Sequence, residues 1–330
     1  SEVAEILSER LIEPYGSMVL TFSAVIVEII LLYIILLEAL HAPEVIETVK
    51  GGIISAVIVD MNVLLGLAVF IGGLKFTEQQ HNKETSSTYT TLLFVTALAL
   101  LVPSLLSESA HGKAVLQETS IIIAAVLMVF YIIVFIFQTR THTHFFQATA
   151  RSRLFRLKRK LREENQEIDE NERSDYLFES FNNLGNLFVI LALIAIIAFA
   201  AEIFATDGVK LAKEHGISAG LAGLIIAIIS VSPEIFTAIK AARNDQIQRV
   251  VNIAMGASVV SILLTVPILL ALAYMSGINL LLNFNPLQIG ALIMTVILAW
   301  KSTDEGQTNY FEGLSHLMFF ICYAIIAAYY

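Results

Sequence analysis

Residues 225–242 read IIAIISVSPEIFTAIKAA, a run of aliphatic side chains that reaches Lys240 with a single acid inside it, Glu234. The segment around it, about 216–240, is long enough as a helix to cross a hydrocarbon layer about 30 Å thick. A carboxylate inside such a layer costs about 2.5–3.5 kcal/mol to insert. Two roles explain keeping one there. It lines an ion or proton path, or it sits protonated and hydrogen-bonds a neighbouring helix, a contact worth about 0.6–2 kcal/mol. Pro233 lacks an N–H and so frees carbonyls near Ile229 and Ser230, and Ser230 lies one turn before Glu234 on the same face. Freed carbonyls and a hydroxyl can ligate a cation. They can equally be satisfied within the helix by Ser230 and Ser232.

The rest of the chain has the same character. Of 330 residues, 57% are apolar and 15% charged, and mean hydropathy is +0.76. A soluble domain is about 45–50% apolar and about 25% charged, so a soluble fold is excluded. Nine apolar segments are expected to span, at about 14–40, 52–74, 86–107, 118–138, 181–203, 216–240, 247–276, 284–301 and 309–330. Ser276, Gly277, Asn279, Asn283, Asn285 and Pro286 break the long uncharged run between the seventh and eighth. A lipid-embedded backbone must satisfy its own hydrogen bonds, and continuous apolar runs are not the alternation of barrel strands. The fold class is therefore an all-α integral membrane bundle.

Charge is confined to the connections. On alternate loops, sixteen Lys and Arg fall on one side and four on the other. That asymmetry puts Ser1 and the long central loop in the cytoplasm and Tyr330 outside. Without the central loop the count is seven to four, with the same sign. The chain divides into a first transmembrane repeat at 1–138, a charged linker at 139–180 and a second transmembrane repeat at 181–330. The linker runs basic (RSRLFRLKRKLR, 151–162) and then acidic (EENQEIDENERSD, 163–175). It reads as a solvated connection; the alternative is an amphipathic helix laying Leu154, Phe155, Leu157 and Leu161 on anionic headgroups. His142, His144 and His81 share that side but lack the ligand pattern of a metal site. Cys322 is the single cysteine, so no internal disulfide forms. The net charge of −9, with positive charge concentrated in one loop, supports no nucleic-acid partner. No leader peptide is visible at Ser1.

Three acids remain inside spans: Glu28, Asp60 and Glu234. Glu28 is on the first span and Glu234 on the sixth. The span after each carries Asn-x-x-x-Gly, as Asn62 to Gly66 and Asn252 to Gly256. An offset of five spans makes the related helices cross in opposite directions, the pattern of an inverted-topology repeat with its site at the midplane. The first half needs the longer outer connection, for which HAPEVIETVKGG (41–52) is available. Ser23 and Thr21 precede Glu28 by one to two turns and could assist it, or bond back to their own helix.

Carboxylates, hydroxyls, amides and carbonyls suit hard cations, Ca²⁺ foremost and Na⁺ or K⁺ as alternatives. Two facing carboxylates are neutralised by one Ca²⁺, two protons, or one or two Na⁺. Leaving both charged and empty is the costly state, so one ion leaves only as another enters. The expected partners are membrane lipid, cations and protons; no cofactor is expected, and a single chain suffices. A Na⁺/Ca²⁺ exchanger is a further alternative, and a cation channel is the reading from another class. An enzyme is disfavoured, since no Gly-x-Ser-x-Gly, His-Glu-x-x-His or Asp pair stands in a suitable setting.

The stretch GLAGLIIAIISVSPEIFTAIKAARNDQIQRVVNIAMGASVVSILLTVP (220–267) resembles the second alpha-repeat of the calcium:cation antiporter superfamily. EPYGSMVLTFSAVIVEIILL (13–32) and LLGLAVFIGGLKF (64–76) resemble its first. The branch is that of bacterial calcium (or sodium, potassium):proton antiporters. The resemblance implies alpha-1 and alpha-2 regions at about 14–76 and 216–268, with Glu28 and Glu234 binding the transported cation and taking up protons. It also implies that Ala257 and Ser258 form the neighbouring wall, and places Asp60 where relatives carry Asn or a small residue. Family signatures are reduced here to Ser230-Val231-Ser232-Pro233-Glu234 and Ala24-Val25-Ile26-Val27-Glu28. The cation and proton site expected is Glu28, Glu234, Ser230, Asn62, Asn252, Asp60 and Ser258, with Glu28 and Glu234 as the metal ligands. A five-plus-five family core implies that an N-terminal helix is missing from nine spans, and the implied location is a prokaryotic plasma (inner) membrane.

Overall fold

Each apolar run closes its backbone hydrogen bonds within itself. The computed structural model describes residues 3, 6, 15–107, 110–147, 149, 182–203, 207–208, 211 and 214–329. Among them are nine long helices: α1 Tyr15–Leu37, α2 Val45–Phe76, α3 Lys83–Leu106, α4 Ala110–Ile136, α5 Asn183–Ile203, α6 Ala219–Arg243, α7 Ile247–Met275, α8 Pro286–Thr303 and α9 Tyr310–Tyr329. Eight of these spans are long and apolar enough to cross a membrane by length and composition; in α5 the described apolar part is Phe188–Ile203. Arg10, Glu13, the linker residues Leu154, Phe155, Leu157 and Leu161, and Lys210 and Lys213 lie outside the described residues.

The expected connection at 41–52 is largely helix. Only His41–Glu44 separate the 3₁₀ turn Glu38–Leu40 from α2, which starts at Val45. The apolar criterion ended the span at the charged residues, but Lys50 is buried, held by Glu47 at 2.9 Å and Asn283 at 2.8 Å. The Gly216–Gly220 stretch GISAG spells a Gly-x-Ser-x-Gly pattern, yet Ser218 is the N-cap of α6. Its Oγ accepts from Leu221 N and donates to the Ala327 carbonyl.

The loops sort into two ends, grouped as the charge parity groups them. At one end strands β1 Glu78–Gln80 and β2 Gln307–Asn309 pair antiparallel, joining the α2–α3 and α8–α9 connections. Lys75 Nζ and Gln79 Nε2 donate to the Arg243 and Ala242 carbonyls, Asn82 Nδ2 to that of Phe145, and Tyr15 OH to that of Thr139. At the other end Lys50 meets Asn283, Tyr33 meets Ser276 at 2.9 Å, and Leu282 N donates to Ser120.

Helices α2 and α7 are the core: 83% of each apolar window is buried, against 22% for α4 and α9. α2 crosses α6 backbone to backbone, since a Cβ on Gly223 would lie 2.6 Å from Gly51 C and Gly52 N. Both core helices contain a π turn, at Asp60–Leu64 in α2 and Ser261–Thr265 in α7. Such turns insert a residue into the helical ladder and are frequent at functional sites.

Gly223→Val is expected to lower the melting temperature of the detergent-solubilised protein by forcing α2 and α6 apart, at a cost of about 1–3 kcal/mol. Unchanged melting would mean the crossing is not a tight contact. A second outcome concerns the loop residue His81, whose Nε2 lies 3.2 Å from the Thr303 carbonyl. Burial holds its imidazole down at about 4, from the ordinary 6.5, against that hydrogen bond. A depressed base gives stability that is present above 6.5 and lost as pH falls toward 4, at about 1.4 kcal/mol per pH unit. Unfolding at pH 7 and pH 4.5 should therefore differ more for the wild type than for His81→Gln; equal differences would contradict it.

Candidate functional site

Glu28 lies midway along α1, Asp60 opens the π turn of α2, and Glu234 follows Pro233 in α6. Their relative exposures are 6%, 2% and 5%. The three converge: Asp60 interacts electrostatically with both Glu234 and Glu28, and Glu234 with Glu28. α1 packs on the π turn of α7, and α6 on the π turn of α2. The mid-span glutamate of each half thus meets the irregular turn of the other.

Partners are few. Glu28 Oε2 accepts from Ser261 Oγ at 2.8 Å and Thr265 Oγ1 at 3.4 Å. Asp60 Oδ2 accepts from Ser258 Oγ at 3.4 Å. The other oxygen of each, Glu28 Oε1 and Asp60 Oδ1, is buried without a hydrogen-bond partner, as is Glu234 Oε2. Buried polar atoms in native proteins are nearly always bonded, so three orphan carboxyl oxygens in one place call for an explanation. Among the described residues the ion pairs are Lys50–Glu47 and Lys83–Asp304, neither of which touches this group. A cation or a set of protons can balance such a group.

Glu234 also lines a cleft of about 100 Å³ between α1, α5 and α6, with Ser23, Ser230 and Thr237 as its other polar groups. That volume holds several waters. A smaller cavity of about 20 Å³, enough for one water, is lined by Thr21, Tyr89, Gln138 and Asn252. α1 runs away from the β1–β2 end and α6 toward it, so the smaller cavity, at Thr21, lies on the β1–β2 side of Glu28, while the cleft extends along α6 from Thr237 on that side past Glu234 to Ser230.

Of the residues expected at the site, Glu28, Asp60, Glu234 and Ser258 come together. Ser230 borders the cleft, with its hydroxyl turned to the Ala227 carbonyl. Ser232 turns to the Ile228 carbonyl, so neither hydroxyl goes to Ile229, and α6 runs through Pro233 as a helix. The two asparagines are elsewhere. Asn252 bonds Gln248 and the Phe146 carbonyl, about 13 Å along α7 from Ser261 at 1.5 Å per residue. Asn62 is in the π turn, but His316 and Thr295 occupy its amide. Corresponding positions are therefore Asp60 and Ser261, which open the two π turns, and not Asn62 and Asn252. Ser261 and Thr265 were missed. Their signal was a hydroxyl stripe, Ser258, Ser261 and Thr265, at helical spacing on an apolar span. The His81, His142 and His144 grouping forms no metal cluster among the described residues; His142 stacks on Phe137 at 4.2 Å.

Comparison with known proteins fits this geometry. The sequence matches the Sodium/calcium exchanger protein family over residues 1–140 and 185–329. It is 28% identical over 323 residues to the sodium-potassium/proton antiporter ChaA of Escherichia coli (strain K12), covering 97% of this chain and 82% of that protein. It is 26% identical over 305 residues to a Ca(2+)/H(+) antiporter of Synechocystis sp., covering 91% and 78%. Its fold is that of native YfkE, with a TM-score of 0.76 at 21% identity over 99% of this chain and 87% of the other. With the match running through α1, α2 and α6, which carry the converging carboxylates, and through α7, which carries their hydroxyl partners, the chain belongs to the sodium/calcium exchanger protein family.

Proposed function

We propose that the chain is a secondary active antiporter, exchanging a hard cation for protons by alternating access at Glu28, Asp60 and Glu234. The observation that carries this reading is the set of three buried carboxyl oxygens without partners, one from each of α1, α2 and α6. An empty site with three negative charges in a low-dielectric interior resists movement, whereas a neutralised one does not. Ca²⁺ is the preferred cargo. One Ca²⁺ balances two of the carboxylates and a retained proton the third, and three protons give the same net charge. Each Ca²⁺ then exchanges for two protons. Ser258, Ser261 and Thr265 supply neutral oxygens that complete a hard-cation shell.

The site is reached through the cleft beside Glu234, from the end bearing Lys75, Arg243 and Arg249. Positive charge at that end supports a cytoplasmic face, and the similarity to bacterial antiporters supports a prokaryotic inner membrane. Sodium or potassium in place of calcium is the second reading, favoured by the 28% identity to a protein named for those ions.

In proteoliposomes an imposed pH gradient should drive saturable uptake of Ca²⁺, or of Na⁺ or K⁺ under the second reading. Glu28→Gln and Glu234→Gln should each abolish it while leaving the protein folded. Full activity in either variant would reject the site, and uptake that follows voltage without a counter-ion would indicate a channel. Asp60→Asn leaves one carboxylate fewer to balance and is expected to shift preference toward monovalent cations by about tenfold or more, the scale of a buried charged contact. An unchanged preference would reduce Asp60 to a helix contact.

A further inference from the structure

Asn62-x-x-x-Gly66 stands out in the sequence, yet Asn62 does not face the carboxylates. It faces α9. Asn62 Nδ2 donates to Thr295 Oγ1 at 2.9 Å, so its carbonyl oxygen is the atom turned to His316 Nδ1, also at 2.9 Å. An amide oxygen only accepts, so Nδ1 carries the proton and donates. Nε2 is left as the acceptor for the hydroxyl of Ser302, 2.8 Å away, in preference to the Ala299 carbonyl at 3.2 Å that the same hydroxyl also reaches. All the side chains in this chain of bonds are buried, Asn62 at 0% and His316 at 1% exposure. The glycine makes the approach possible. A Cβ on Gly66 would lie 3.0 Å from His316 Cβ, and one on Gly313 would lie 2.6 Å from the Gly66 carbonyl oxygen. α9 therefore sits against α2 with nothing between them, and the imidazole drops into the turn that carries Asp60.

We infer that Asn62 and Gly66 form a seat for His316, and that His316 is a positioning residue of the cation site, fixing the π turn that directs Asp60 toward Glu28 and Glu234. The inference rests on reading those carboxylates as the cation site. Its physical basis is that a π turn lacks a full α-helical ladder and is held by what packs around it. A fully satisfied buried network is a strong and specific restraint, and a half-broken one is costly. Removing the imidazole leaves the Asn62 carbonyl unpaired, and the turn can rotate to find another donor. Asp60 then moves although nothing touching it has changed.

Equilibrium binding of ⁴⁵Ca²⁺ to the solubilised protein, or of ²²Na⁺ if sodium is the cargo, tests this without requiring exchange. His316→Leu should weaken binding about tenfold in the folded fraction, isolated by size-exclusion chromatography. His316→Asn, whose amide N–H can take the place of Nδ1–H, should restore most of it. The double variant Asn62→Leu/His316→Leu, which removes both partners, should recover melting temperature but not affinity. Wild-type affinity in the folded His316→Leu protein would overturn the inference, as would loss of affinity in His316→Leu that His316→Asn does not restore. Failure of the antiport reading looks different: cation binding insensitive to Glu28→Gln and Glu234→Gln.

Discussion

Three carboxylates share one buried core, and among the described residues their hydrogen-bond partners are the hydroxyls of Ser258, Ser261 and Thr265. Hydroxyls moderate a negative charge without cancelling it, and at this depth the residual charge is costly. On the proposed reading, a metal ion or a set of protons offsets that charge among Glu28, Asp60 and Glu234. The surrounding architecture serves that requirement. α2 and α7 are the most buried helices and bring the two π turns to the centre. α1 and α6 present glutamates to those turns, and the glycine contact between α2 and α6 lets the backbones approach until the carboxylates are within electrostatic reach.

The two glutamates are not equivalent. Glu28 receives hydroxyls from Ser261 and Thr265, while Glu234 borders the cleft beside α5. Glu234 is the carboxylate of the three that lines the cleft. Asp60 completes the group from a third helix. Its position in a π turn ties it to α8 and α9 through Asn62, so the far side of the bundle bears on the site.

Glu28 and Glu234 were legible because a charge in a long apolar run is expensive enough to need a reason. The spans were legible for the converse reason, and the parity of loop charge sorted the connections as the strands and end contacts do. What failed was local. Lys50 ended a span in the sequence because it is charged, yet Glu47 and Asn283 let it sit inside a helix. Asn-x-x-x-Gly reads as a repeat marker, but a π turn shifts helical register and depends on tertiary packing, so nothing in the residue types announces that Asp60 corresponds to Ser261. Ser261 and Thr265 are hard to single out in a sequence because such residues usually bond back to their own helix. Asn62 binds other helices, through Thr295 and His316.

The most direct test of competition between protons and cations for the same carboxylates is proton release from solubilised protein in weakly buffered solution with a pH indicator. Adding Ca²⁺ should acidify the medium by about two protons per ion bound, since a carboxyl must ionise to ligate a metal, and Glu28→Gln or Glu234→Gln should diminish the signal. Stoichiometric cation binding with no proton released would contradict the account.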